Sequence, residues 1–315
     1  MKIYLAGLSI AALRAFARLV PNYKPNVLIT YASIFYDGLK PEEYTKKYRN
    51  LIGGLVLDCG AYTLFEKFPN PLDRKIEAEK LFKAYEVYLK NTHNQYDGVF
   101  SMDDEFGVDS FDHNSERFHH IQKLGIEPIP VLHNLSDKAE FEYYVNEGCK
   151  VVAIGQCKDR KDINKFRKAV NFFKRNQADV HLFGQTNYEV ISKARIDSCD
   201  SKSWLLYSQY GQVLFWNHER TDHNNPNEDI DKTDLIYFPK VQKHDSSKGA
   251  SVYDYDHLGT FDEFLEENLG MTTLDLNGNG QRRVLCRQLV NMYYYMELEK
   301  VVSNIHLSLP SVSTP

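Results

Sequence analysis

The sequence predicts an α/β fold, a TIM-type (β/α)8 barrel carrying a C-terminal loop and helix elaboration. Short apolar runs alternate with longer amphipathic, charged stretches over the first two thirds of the chain, as parallel strands joined by helical crossovers do. The residues that follow those runs are unusually polar, which suits the catalytic face of a barrel. The length of 315 residues fits one such domain as well as two average ones.

In chain order the strand candidates are Lys2–Leu8, Val27–Ala32, Gly54–Asp58, Gly98–Met102, Glu127–His133, Val151–Gly155, Asp179–Gly184, Arg195–Cys199 and Gln212–Trp216. Nine candidates for eight places leave one of the first two as an extra or edge strand. Lys75–Leu89, Ser115–Lys123, Asp137–Asn146 and Asp162–Asn176 space apolar residues three and four apart, with charges opposite, and read as crossover helices. Ser136, with Asp137 and Glu140 behind it, supplies an N-cap and an acidic first turn; Gly148 closes that helix and Gly125 stops the one before.

The pattern breaks after Trp216. From His218 to Asn268 there are 13 acidic and 5 basic residues with little periodicity, a loop-rich excursion with one short strand at Leu235–Phe238. A last helix runs from about Gln281 to Ile305. Residues 1–217 are therefore read as the barrel and 218–315 as an elaboration packed on it. Asp275-Leu276-Asn277-Gly278-Asn279-Gly280 imitates a calcium loop, but Cys286 stands where a bidentate Glu belongs, so a polar turn is the reading. His218, His223, His244 and His257 lack metal-type spacing and read as solvated.

Hydrophobic residues make up 43% of the chain and glycine only 17 positions, which excludes wholesale disorder and collagen-like repeats. With 43 acidic against 38 basic side chains, any contact with nucleic acid must rest on a local patch. Eight Lys and Arg against two Asp between Lys158 and Arg175 read either as a solvated helix face or, at the start of the segment beside the barrel mouth, as such a patch. The five cysteines, odd in number and without a C-x-x-C pair, read as reduced cytosolic thiols and not as a zinc knuckle or a disulfide framework. The apolar stretch Ile3–Leu13 superficially suits a secretory signal, but Arg14 and Arg18 follow it without a convincing cleavage site. No run reaches the ~18 apolar residues of a membrane span, so no membrane partner is expected.

The strand ends carry the chemistry. Asp58-Cys59-Gly60-Ala61-Tyr62, then Asp103-Asp104-Glu105, then His133, Gly155-Gln156, Gly184-Gln185 and Asp197-Ser198-Cys199-Asp200 each follow an apolar run. An Asp after a strand is usually a turn former or N-cap. Three carboxylate clusters around one mouth repel each other and raise pKa values, which is tolerated chiefly where function needs it. Paired carboxylates on a sugar ring suit glycosidic-bond chemistry, one as nucleophile and one as acid/base.

These segments, in this order, resemble the active-site segments of tRNA-guanine transglycosylases. Ile129-Pro130-Val131-Leu132-His133 and Asp200-Ser201-Lys202-Ser203-Trp204 are still more similar to the short, phage-associated branch of that superfamily, the DpdA-like enzymes that put 7-deazaguanines into DNA. The resemblance covers about residues 1–217. It implies that Asp200 is the nucleophile on C1′ and Asp58 the general acid/base. Asp104, with Asp103 beside it, would read the guanine-like edge. Tyr62 and Phe183 would sandwich the base, and Gly155, Gln156, Gly184 and His133 would line its pocket, His133 standing where the tRNA enzymes carry Gln. Lys158, Arg160 and Lys161 would meet the phosphates of a flipped-out nucleotide.

The zinc module of the tRNA enzymes has no counterpart, since Cys286 is the only cysteine beyond Asp200. The resemblance therefore implies DNA as substrate, no cofactor, and a 7-deazaguanine base such as 7-cyano-7-deazaguanine as co-substrate. The location implied is the cytoplasm, that of the host if the chain is phage-encoded. A homodimer is compatible with the sequence. Three alternatives stay open: the same exchange on tRNA, a non-catalytic nucleic-acid-binding barrel subunit, and a barrel hydrolase of a nucleoside or sugar.

Overall fold

In the computed structural model, which describes all residues except 108, 158–161, 222–229, 240–248 and 310–315, eight parallel strands curl into a barrel. They are β1 (Lys2–Ala6), β2 (Asn26–Thr30), β3 (Leu55–Asp58), β4 (Gly98–Val99), β5 (Val131–Leu132), β6 (Val151–Ile154), β7 (Asp179–Leu182) and β8 (Ser198–Ser201). The hydrogen-bonded order is β4-β3-β2-β1-β8-β7-β6-β5. A parallel bridge between Phe100 and Ile129 joins the two ends and closes the ring.

Outside the strands lie α1 (Ile10–Leu19), α2 (Tyr31–Asp37), α3 (Ala61–Lys67), α4 (Pro71–Thr92), α5 (Phe111–Gln122), α6 (Lys138–Asn146), α7 (Ile163–Arg175), α8 (Tyr188–Ala194) and α9 (Ser203–Gln209). Side chains of Ser9, Thr30, Asn70, Asp137, Asp162 and Asn187 accept backbone N–H groups at the starts of α1, α2, α4, α6, α7 and α8. Such caps satisfy donors that a helix cannot satisfy itself. The cap of α6 is Asp137, one residue later than the sequence suggests, because its carboxylate takes both the Ala139 and Glu140 N–H groups.

Both of the first two strand candidates are barrel strands, and it is the ninth that leaves. Gln212–Trp216 becomes β9, which pairs antiparallel with β10 (Thr233–Tyr237) in a small sheet with β11 (Ala250–Ser251). The connection 202–211 is shorter than the stretch of about a dozen residues that a parallel crossover needs. The division drawn at 217 thus runs through this small sheet. The excursion also holds a helix that the sequence reading left as loop, α10 (Leu258–Leu269), which buries Phe261, Leu265 and Leu269 at four-residue spacing against β9 and β10.

After α11 (Thr273–Leu276) comes α12 (Gln281–Ser308). It packs between α8 and α1 and against β1, so it occupies the outer place that an eighth barrel helix would take. One side joins Leu289, Met292, Tyr295 and Leu298 to the barrel core, and the other joins Cys286 and Val290 to the core of the small sheet. All five cysteines are free thiols. Among the described residues no helix is long and apolar enough to cross a membrane.

The calcium-like turn ahead of α12 has its carbonyls occupied. Arg283 donates to Leu274 O and Asn277 O, while Asp275 turns back to Thr272. Arg287, 0% exposed, donates to Ser208 O, Leu276 O and Gly278 O. A guanidinium therefore sits on the carbonyl ends of α9 and α11, where helix dipoles favour a cation, and burial lowers its pKa to about 10. Arg287→Met should leave these acceptors buried and unpaired, at a cost of about 3 kcal/mol or more. Urea unfolding curves of the two proteins measure it.

Candidate active site

Strand parity places the candidate residues. Within the barrel, Tyr4, Ala6, Leu28, Val56, Phe100, Val131 and Ala153 form the inner core. Two residues beyond Val56, Val131 and Ala153 stand Asp58, His133 and Gly155, and Asp200 sits opposite Tyr4. Side chains two apart share a strand face, so these groups top the packed interior at the carboxyl ends of the strands.

Asp200 is buried on β8. Its Oδ1 accepts the Gly184 N–H at 2.8 Å and lies 3.4 Å from His181 Nε2. Asp58 ends β3, and its Oδ2 accepts the Gly60 N–H at 3.0 Å. Gly60 must be glycine, since its φ is +89° and a Cβ would stand 2.3 Å from that of Ala32. Burial, then the negative charges of Asp103 and Asp200, push the Asp58 carboxyl up to about 8. At neutral pH it holds a proton.

Asp103 is the inward member of its pair. Its Oδ1 accepts from Cys59 Sγ at 3.3 Å and its Oδ2 faces His133 Nε2 at 3.1 Å. His133 Nδ1 lies 2.9 Å from Gln156 O, and a carbonyl only accepts, so Nδ1 carries a proton. Burial disfavours the imidazolium, but the hydrogen bond and charge of Asp103 outweigh it and raise the His133 pKa. Both ring nitrogens are thus engaged, one by Gln156 O and the other by Asp103. His133 orients Asp103, with both ring nitrogens held inside the protein. Gly155 is explained by the same ring, because a Cβ there would meet His133 Cε1 at 2.6 Å. Gln156 contributes its carbonyl to this arrangement.

Asp104 is drawn to α5. His113 Nε2 lies 3.0 Å and Arg117 Nε 3.4 Å from its Oδ1, and Arg117 also pairs with Glu79. Burial works to raise the Asp104 pKa, but His113 and Arg117 outweigh it and hold the carboxyl below its usual range. Asp104, which the resemblance puts first, is thus engaged on α5, and Asp103 is the member of the pair that faces Cys59 and His133. Burial and the charges of Asp58 and Asp103 push the Cys59 thiol well up, so it is a hydrogen-bond donor and not a nucleophile.

Phe183 forms part of the floor, its ring 4.6 Å from Phe100 and 4.8 Å from His181. Tyr62 stands on the rim at 60% exposure on α3, near Phe65, whose ring lies 5.5 Å from Phe106. Phe106 is in turn 5.3 Å from His133. Lys158, Arg160 and Lys161, like His223 and His244, lie outside the described residues. His218 is exposed near Glu297, and His257 is half-buried beside Glu219. Among the described residues no group of three or more His, Cys, Asp or Glu side chains is placed to hold a metal.

Three participants were missed in the sequence: His181, Cys59 as a donor, and the His113–Arg117 pair. His181 carried a readable signal, since it lies two residues before Phe183 and so on the same inward face.

No protein-family model and no curated protein sequence matches the chain. Among solved structures it is similar to a chain from Coccidioides immitis provisionally assigned as a fructose-1,6-biphosphate aldolase, with a TM-score of 0.52 and 10% identity, covering 97% of this chain and 92% of that one. The likeness is one of fold, a TIM-type barrel.

Proposed function

We propose that the chain is a base-exchange transglycosylase that replaces guanine in DNA by a 7-deazaguanine derivative through a covalent aspartyl–sugar intermediate. The observation that carries this reading is the unequal pair of carboxylates at the mouth. Asp58 retains a proton to about pH 8, while Asp200 has one oxygen anchored by the Gly184 N–H. A protonated acid beside an oriented carboxylate is what displacement at a glycosidic carbon requires.

In the first half-reaction an Asp200 oxygen forms a bond to C1′ as the bond from C1′ to the guanine nitrogen breaks, and Asp58 supplies the proton that the departing base takes. In the second, Asp58 accepts a proton from the incoming 7-deazaguanine, whose nitrogen bonds to C1′ and releases Asp200. Two inversions give net retention. One glycosidic bond replaces another, so neither a redox cofactor nor a nucleoside triphosphate is consumed. A base in a duplex is out of reach, so the target nucleotide is extruded or single-stranded. Phe183 and the exposed Tyr62 supply aromatic surface for it, and Asp103 offers acceptor oxygens to donors on a guanine edge.

Nucleoside analysis of DNA and tRNA, from cells making the protein and supplied with 7-cyano-7-deazaguanine, tests the reading. The modified base is expected in DNA. Its appearance in tRNA alone would move the substrate to RNA, and its absence from both would remove the exchange reaction.

A further inference from the structure

His181 lies against Asp200 yet takes no part in the chemistry above. It sits on β7 directly opposite Ser198 of β8, and Asp200 follows two residues later on the same strand face. The imidazole is 2% exposed and walled by the rings of Tyr4, Phe100 and Phe183 at 6.0, 5.0 and 4.8 Å. Its Nδ1 is 2.9 Å from Ser198 Oγ. Its Nε2 is buried, has no well-formed hydrogen bond, and lies 3.4 Å from Asp200 Oδ1.

A buried polar nitrogen left without a partner is costly, so its place beside a carboxylate calls for an explanation. We propose that His181 is a positioning residue for Asp200: together with the Gly184 N–H it fixes Oδ1 and so presents Oδ2 to the sugar carbon. The inference rests on the reading of Asp200 as nucleophile. A carboxylate oxygen only accepts, so Nε2 carries a proton, and Nδ1 is held by the Ser198 hydroxyl, which can serve it as donor or acceptor. The ring is wedged between aromatic neighbours, which keep Nε2 on the Asp200 side.

When Oδ2 lends an electron pair to C1′, the pair of the bond from C1′ to the base leaves with guanine, and Oδ1 becomes the carbonyl oxygen of the ester. When the incoming base displaces the sugar, Oδ2 recovers its pair and Oδ1 regains negative charge in front of two waiting donors. Held donors of this kind favour the free carboxylate over the ester, so they assist its departure, while faster adduct formation comes from the placement of Oδ2. The 3.4 Å contact has room to shorten as that charge develops.

The test has a spectroscopic and a kinetic arm. Imidazole ¹⁵N NMR of the intact protein is expected to show His181 protonated at Nε2, with both nitrogen signals shifted in Asp200→Asn. In single turnover, His181→Phe keeps the ring and removes both nitrogens, and is expected to slow adduct formation about 10²-fold with KM for the polynucleotide unchanged. His181→Gln, whose amide nitrogen falls near the Nε2 position, should recover part of that loss, and Ser198→Ala should show an intermediate one. Unchanged ¹⁵N signals in Asp200→Asn, or wild-type adduct formation in His181→Phe, would overturn the proposal. A wild-type protein that forms no adduct at all would overturn the transglycosylase reading on which it rests, whatever the ¹⁵N spectra show.

Discussion

Replacing Asp200 with Asn is expected to leave a folded barrel that forms no covalent sugar adduct and loses base exchange by on the order of 10⁴-fold or more. The amide keeps an oxygen for the Gly184 N–H but offers no anionic oxygen to C1′. Denaturing gels of protein incubated with an oligonucleotide and labelled guanine read both effects. Exchange at the wild-type rate in this variant would refute the mechanism at its first step.

The second large effect belongs to Asp58→Asn and has two opposite parts. Exchange should fall about 10²–10⁴-fold, because the proton donor to the leaving base is gone. In the wild type the rate of adduct formation should hold below about pH 8 and fall above it, as Asp58 loses its proton, and this limb should vanish in the variant. Stability should move the other way. The folded-state pKa lies above the unfolded value of 3.8, so the folded chain holds a proton that the unfolded chain releases. That contribution is fully present below about pH 4 and is lost as the pH rises through about 8. Asn cannot ionise, so the variant should be more stable than wild type at pH 8, by on the order of a few kcal/mol. Thermal melts at pH 5 and pH 8, widening their difference only in the wild type, check the sign. A loss of stability at both values would make Asp58 a structural residue.

The barrel and most of its mouth were legible because they depend on short-range rules. Apolar runs mark strands, and the residue after each run marks the carboxyl-terminal face of the barrel, which is enough to place Asp58, His133 and Asp200 together there. What escaped depends on distant partners. Asp103 and Asp104 are adjacent, and β4 is too short for strand alternation to reach them. Which one faces inward is decided by His113 and Arg117 on α5 and by Cys59 at the end of another strand. His133 offers two nitrogens in the sequence, and in the fold the Gln156 carbonyl and Asp103 hold them. Gly155 is expected from the resemblance to line a base pocket, but what the fold shows is a need for glycine imposed by the His133 ring. The ninth strand failed for a topological reason, a connection too short to cross the barrel. Its composition is that of any barrel strand.

The placement of α12 between α1 and α8 also governs when the molecule can form during synthesis. Its Glu299 accepts the Ile3 N–H at 2.6 Å and the Asn26 side-chain amide at 3.0 Å, and Ser303 Oγ lies 3.2 Å from the amino group of Met1. All eight barrel strands have been made by Ser201, yet the seam between the first and the last stays bare on its outer side until Glu299 and its neighbours on α12 have been made. Closing it joins residues nearly three hundred positions apart, the kind of contact whose loop entropy slows folding most. The nascent chain therefore exposes the apolar outer side of the β1–β8 pair until the last helix is made, and α12 is the piece that covers it.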